Sequence, residues 1–134
     1  MTKEQLASKA KEAMQMAYSP YSGYKVGAAL LCKDGSVYTG CNIENAGYSA
    51  TNCAERTAFF KAISEGKKAF EAIAVCGGKD GVIDGLFPPC GVCRQVMREF
   101  CEDDFQIYLI TKDAIETYTL EQLLPISFRP ENVK

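Results

Sequence analysis

The sequence predicts a three-layer α/β/α fold around a mixed five-stranded sheet, with residues 1–134 forming one domain. Three observations carry that prediction. Segments of helical periodicity and short apolar strands follow one another in the order α-β-β-α-β-α-β-β. The first two strands join through a tight turn and so pair antiparallel, whereas helices lying between later strands imply parallel pairing across the third, fourth and fifth. Hydrophobic residues make up 47% of the chain and charged residues 24%, ordinary usage for a domain that buries a core without disulfide staples.

The first helix is expected from Lys3 to Ala17, where Leu6, Ala10, Ala13, Met14 and Ala17 keep helical spacing and Thr2 with Gln5 reads as a capping box. Pro20 and Gly23 break the chain into a loop over residues 18–23. Val26 to Cys32 and Val37 to Cys41 read as strands joined by Lys33-Asp34-Gly35-Ser36. After a polar stretch, Asn42 to Asn52, a second helix runs from Cys53 to Glu65 and stops at Gly66. Phe70 to Cys76 is a strand, and the Gly- and Pro-rich segment Gly77 to Pro89 reads as a loop. A third helix spans Cys90 to Phe100. Strands at Phe105 to Ile110 and Glu116 to Tyr118 precede a short helix from Leu120, capped by Thr119.

Charge and cysteine usage narrow the function. Fifteen basic and seventeen acidic residues leave a net charge of −2, with no basic stripe for nucleic acid. No apolar run approaches the roughly 20 residues of a membrane span, and no signal-peptide layout opens the chain, so the expected location is cytoplasmic. Seven cysteines in such a chain point to free thiols or a metal site. Histidine is absent, which removes Ser-His and Cys-His nucleophile pairs and mixed His/Cys zinc sites.

Two segments concentrate the remaining chemistry: Cys53-Ala54-Glu55 and Pro89-Cys90-Gly91-Val92-Cys93. Cys90 and Cys93 are three apart at a helix start and share a face, and Cys53 opens another helix. Helix N-termini lower thiol pKa and suit thiolate ligands. Three thiolates with one open position would make a catalytic zinc, and a fourth protein ligand would make a structural one. Cys32, Cys41, Cys76 and Cys101 read as small buried or half-buried hydrophobes. Taken singly, Cys-x-x-Cys is also a redox pair, and Asn52 with Glu55 is also a helix cap.

Cys-x-Glu followed by Pro-Cys-x-x-Cys is the signature of the zinc nucleoside and nucleobase deaminases. The chain further resembles the small homotetrameric cytidine deaminases at Ser19-Pro20-Tyr21-Ser22, Val26-Gly27-Ala28-Ala29-Leu30, Gly40-Cys41-Asn42-Ile43-Glu44-Asn45, Cys53-Ala54-Glu55-Arg56-Thr57-Ala58 and Cys90-Gly91-Val92-Cys93-Arg94-Gln95-Val96, a match running to Leu123-Leu124-Pro125. The resemblance implies the deaminase fold and one Zn²⁺ per chain held by Cys53, Cys90 and Cys93. It implies Glu55 as the proton shuttle in hydrolysis of the pyrimidine 4-amino group, and Arg56 as a donor to the zinc-bound sulfurs. Asn42 and Glu44 match the ribose ligands, Tyr24 the base-stacking position, and Ala54 a backbone donor to the base. Phe128 matches an aromatic that reaches the base in a neighbouring subunit of a homotetramer. The implied activity is conversion of cytidine and deoxycytidine to uridine and deoxyuridine in pyrimidine salvage. Rival readings are a deaminase of a related nucleoside or free base, a nucleic-acid deaminase, and a non-catalytic zinc-stabilised module. The chain departs from the family pattern at Tyr24, where Phe is usual, and in residues 77–88, longer than usual.

Overall fold

The computed structural model describes residues 1–134. Helix α1 (Lys3–Met14) leads into strands β1 (Tyr24–Cys32) and β2 (Val37–Cys41), then α2 (Ala54–Ser64), β3 (Phe70–Lys79), α3 (Gly91–Phe100), β4 (Gln106–Ile110), β5 (Ile115–Thr119) and a short α4 (Leu120–Leu123). The strands form one five-stranded sheet in the order β2-β1-β3-β4-β5. β1 pairs antiparallel with both β2 and β3, and β3 pairs parallel with β4 through the α3 crossover.

Alternation along the strands divides the core into two layers. Val26, Ala28 and Leu30 of β1, with Ile73 and Val75 of β3, meet Ala58, Phe59 and Met97 of α2 and α3. The other face presents Ala29, Leu31, Ala72 and Ala74 to Leu6, Ala7, Ala10 and Met14 of α1. The Thr2–Gln5 capping box forms as expected and starts α1. α2 lies close against β2 because Gly40 has no side chain: a Cβ there would fall 2.4 Å from the Ala54 carbonyl oxygen. That close approach sets the height of the α2 N-terminus, and with it the site.

One pairing and two boundaries differ most from expectation. β5 runs antiparallel to β4, not parallel, because no helix separates them: a turn closed by Thr111 N–H donating to the Ala114 carbonyl at 2.8 Å returns the chain directly. α1 ends at Met14, not Ala17, because Tyr18 leaves the helix to bridge Ile43. β3 continues through Gly77, Gly78 and Lys79, which pair with Val26, Lys25 and Tyr24. Their composition reads as loop, but a partner strand overrides weak strand propensity.

Candidate metal centre and adjoining cleft

Two helix N-termini converge on the same point. Cys53 is the N-cap of α2 and Cys90 the N-cap of α3, and neither sulfur caps its own helix. Cys93 lies in the first turn of α3, buried beneath them. Cys53 Sγ and Cys90 Sγ are 3.7 Å apart, and all three sulfurs lie within 4.8 Å of one another. Four-coordinate zinc with Zn–S bonds of about 2.3 Å sets its sulfurs about 3.8 Å apart, so the donor set fits that ion. No other group of three His, Cys, Asp or Glu side chains clusters in this way. Cys76 and Cys101 are buried elsewhere, where desolvation pushes Cys76 up to about 11 and Cys101 higher still.

The surroundings favour a thiolate at Cys53, while Cys93, which donates to it and is buried, is pushed up. Cys93 donates a hydrogen bond to Cys53, which together with Arg56 holds the Cys53 thiol down to about 5. Arg56 Nη2 reaches Cys53 Sγ at 3.3 Å, while its Nε is buried with no partner. A guanidinium immobilised against sulfur offsets the charge that three thiolates place on a divalent ion.

Glu55 is only 4% exposed. It does not cap α2, whose N-cap is Cys53, and Asn52 instead donates through Nδ2 to Thr57 Oγ1 at 3.1 Å. The capping interpretation therefore fails for this carboxyl. Burial pushes Glu55 up to about 7, and the neighbouring Cys53 charge acts in the same direction. A carboxyl poised there can both take and return a proton near neutral pH.

Glu55, Cys53 and Cys90 open onto a cleft of about 320 Å³, which also receives Asn42, Glu44 and Tyr24. Backbone bonding delivers the polar pair: Tyr18 N–H donates to the Asn42 carbonyl at 3.0 Å and Glu44 N–H to the Tyr18 carbonyl at 2.8 Å. Asn42 accepts from Val26 N–H at 2.9 Å through Oδ1 and donates to the Tyr24 carbonyl at 2.8 Å through Nδ2. One amide hydrogen of Asn42 stays available. Glu44 accepts from the Ser22 hydroxyl, and from the N–H groups of Tyr21 and Ser22 at 2.9 and 3.1 Å. Those bonds, the Ser22 hydroxyl foremost, hold its carboxyl below the usual range. Three of its roughly four acceptor positions are thus filled and one is left for a ligand hydroxyl. Ala54, fully buried, begins α2, so its N–H has no partner within the helix.

The structure brings nine of the ten expected site residues together around the cleft and its sulfur cluster; Phe128 stands apart. Phe128 is 61% exposed on the C-terminal tail, tethered by its carbonyl to Gln95 Nε2 at 2.9 Å. Ser22 and Phe87 line the cleft without having been singled out. Nothing in sequence spacing links Ser22 to Glu44, whereas a lone aromatic three residues before Cys90 was a readable signal for Phe87.

A cluster of three thiols beside a buried carboxyl, on two helix N-termini over a mixed sheet, defines a class of zinc-dependent deaminases. The chain belongs to that class: the family model for the cytidine and deoxycytidylate deaminase zinc-binding region matches residues 1–109. Within it, the chain is similar to the cytidine deaminases. It is 50% identical to cytidine deaminase of Sporosarcina psychrophila over 134 residues, covering 99% of this chain and 96% of that protein. Cytidine deaminase of Halalkalibacterium halodurans is 49% identical, with 99% and 98% covered. The crystal structure of cytidine deaminase from Burkholderia pseudomallei superposes with a TM-score of 0.88 at 44% identity, covering 96% of this chain and all of that one.

Proposed function

We propose that this chain hydrolyses the 4-amino group of cytidine and deoxycytidine, giving uridine or deoxyuridine and ammonia. One observation carries the reading: three clustered thiols and a buried carboxyl share a cleft with Asn42 and Glu44, which suit a neutral diol. Cys53, Cys90 and Cys93 would hold one Zn²⁺, which when bound supplies the Lewis acidity that makes water deprotonable near neutral pH. Glu55 takes the proton from water and returns protons to N3 and to the departing nitrogen, so one water is consumed and one ammonia released. Arg56 holds the Cys53 sulfur and offsets thiolate charge. Ala54 N–H bonds the base and Tyr24 stacks on it. Asn42 and Glu44 take the ribose hydroxyls, and the ionised Glu44 repels a phosphate placed nearby.

Residues 1–134 act as one domain, and the net charge of −2 disfavours nucleic acid as substrate. No helix is long and apolar enough to cross a membrane. The setting consistent with this chemistry is pyrimidine salvage in the cytoplasm. The cleft is open in a single chain, and the exposed Phe128 lies outside it, which supports a homotetramer whose neighbouring subunits complete each site.

Incubation with cytidine, deoxycytidine, cytosine and CMP, followed by loss of ultraviolet absorbance, tests the reading. Both nucleosides should be turned over well and cytosine poorly, since it leaves Asn42 and Glu44 unpaired. Equal turnover of cytosine and cytidine would refute the sugar site.

A further inference from the structure

One wall of the cleft has no part in the roles above. Phe87 and Pro88, from the connection between β3 and α3, line it beside Tyr24 and Val26. The Phe87 ring stacks on Tyr24 with centroids 5.9 Å apart and planes at 30°. It also packs against the core cluster that contains Val26. Its position is enforced from behind. A Cβ on Gly77 would fall 2.9 Å from Phe87 Cδ1 and 3.0 Å from Cγ, so the ring occupies the space a side chain at 77 would need.

Tyr24 is held in turn. Lys79 Nζ lies 5.3 Å from its ring centroid and donates to the Ser22 carbonyl at 2.9 Å. Phe87 is therefore wedged between β3, Tyr24 and the cleft. A close-packed aromatic of this kind yields little to an added atom, because moving it disturbs neighbours that are themselves packed.

A cytosine ring has two unlike edges. O2, N3 and the 4-amino group are polar, whereas C5 and C6 carry only hydrogen. Thr51 and Asn52 are already engaged, Thr51 Oγ1 accepting from Asn45 N–H and Asn52 Nδ2 donating to Thr57 Oγ1. The other polar groups of the cleft fall into two sets: Glu55, the sulfurs and Ala54 N–H at the helix N-termini, and Asn42, Glu44 and Ser22 on the sugar side. The C5–C6 edge is left to the part of the wall that offers no hydrogen-bonding side chain, formed by Phe87 and Pro88. We infer that Phe87 is a specificity-determining residue that lies against the C5 position and admits hydrogen there while penalising a methyl or larger group. This rests on the orientation of the base given under Proposed function.

The test compares kcat/KM for cytidine and 5-methylcytidine in the unaltered enzyme, Phe87→Leu and Phe87→Val, with zinc content and Tm recorded for each. One extra methyl group against a filled apolar wall is worth about 10- to 200-fold in selectivity. The unaltered enzyme should disfavour 5-methylcytidine by about tenfold or more, and the ratio should narrow in Phe87→Leu and further in Phe87→Val. Gly77→Ala, whose Cβ would fall on the ring, should also change the ratio. If Phe87 only supports Tyr24, both substrates suffer together and the ratio stays fixed across the series, which overturns the inference. Failure of the unaltered enzyme to turn over cytidine at all would overturn the reading of the cleft as well, a result distinct from an unmoved ratio.

Discussion

Arg56 Nη2 lies 3.3 Å from Cys53 Sγ, one turn along the same helix, with the guanidinium Nε buried and unpartnered. The spacing places a fixed cation against one sulfur of the cluster without lengthening the chain between them. Arg56→Ala should therefore weaken metal retention or activity by about 10- to 100-fold, the usual cost of losing a group that orients a metal ligand. Competition with a chromogenic chelator measures the first and initial rates the second. Unchanged values for both would assign Arg56 to helix charge alone.

The cysteines divide by position rather than by type. Cys53→Ala, Cys90→Ala and Cys93→Ala should each lose zinc and activity, because each removes one of three clustered donors. Cys32→Ala, Cys41→Ala, Cys76→Ala and Cys101→Ala should keep one zinc per chain, since these side chains lie outside the cluster. Among them, replacing the buried Cys32, Cys76 or Cys101 should lower Tm by leaving a small void. Elemental analysis giving full zinc in Cys90→Ala would remove that residue from the ligand set.

Glu55→Gln separates proton transfer from structure. The carboxyl is buried and makes no cap, so the amide removes a group whose charged form burial already disfavours. Zinc content should hold and Tm should stay level or rise slightly. Activity should fall by more than the roughly 10²–10⁴-fold of single-step acid–base assistance, because one residue serves several transfers. Retained specific activity in this variant would exclude Glu55 as the shuttle.

The sulfur cluster was legible in the sequence because its ligands sit at helix starts, and Cys-x-x-Cys spacing on a helix dictates a shared face. The fold class was legible for a similar reason: strong periodicity in α1 and the hairpin of β1 and β2 are local signals. What escaped depends on pairing between distant segments. Gly77 to Lys79 became strand only because Val26 to Tyr24 lies alongside. The β4–β5 pairing was a different case, a local signal misread: no helix separates the two strands, and the Thr111–Ala114 turn is too short for a crossover. The hold of Ser22 on Glu44 and of Phe87 on Tyr24 joins residues far apart in the chain, and no spacing rule connects them.

Ser22→Ala tests that hold on the sugar side. The variant removes the hydroxyl bond to Glu44 but keeps the backbone N–H bonds from residues 21 and 22. Glu44 stays ionised near neutral pH but less firmly oriented. KM for cytidine should rise about three- to tenfold, the scale of one hydrogen bond, with kcat little altered. Whatever slow turnover cytosine shows should not change, since it has no ribose to place. An equal loss on cytosine would mean that Ser22 acts on the base or on the metal centre instead.

The last prediction concerns assembly. A nucleoside site should exclude water from the reacting atoms, yet this chain leaves its cleft open and supplies no further element to roof it. At the same time the tail carries two largely uncovered apolar side chains: Phe128 is 61% exposed, and Ile126 is fully exposed with a φ of 50°. A β-branched residue in that conformation is costly, so the tail's course needs fixing by other contacts. Those contacts are present. Gln95 Nε2 holds the Phe128 carbonyl at 2.9 Å, Arg98 Nε holds Ser127 Oγ at 2.7 Å, and Arg94 Nη1 holds the Leu123 carbonyl at 2.6 Å. All three donors come from α3, the helix whose first turn carries Cys93, so the tail is rigidly indexed to the metal centre while its apolar side chains face outward. On the proposed reading, the Phe128 side chain would enter a neighbouring subunit's cleft. Sedimentation should therefore give a homotetramer, and Phe128→Ala should raise KM for cytidine while zinc stays bound and the Tm of the isolated fold is little changed. A fully active monomer at assay concentration would refute shared sites, whatever the effect of Phe128→Ala.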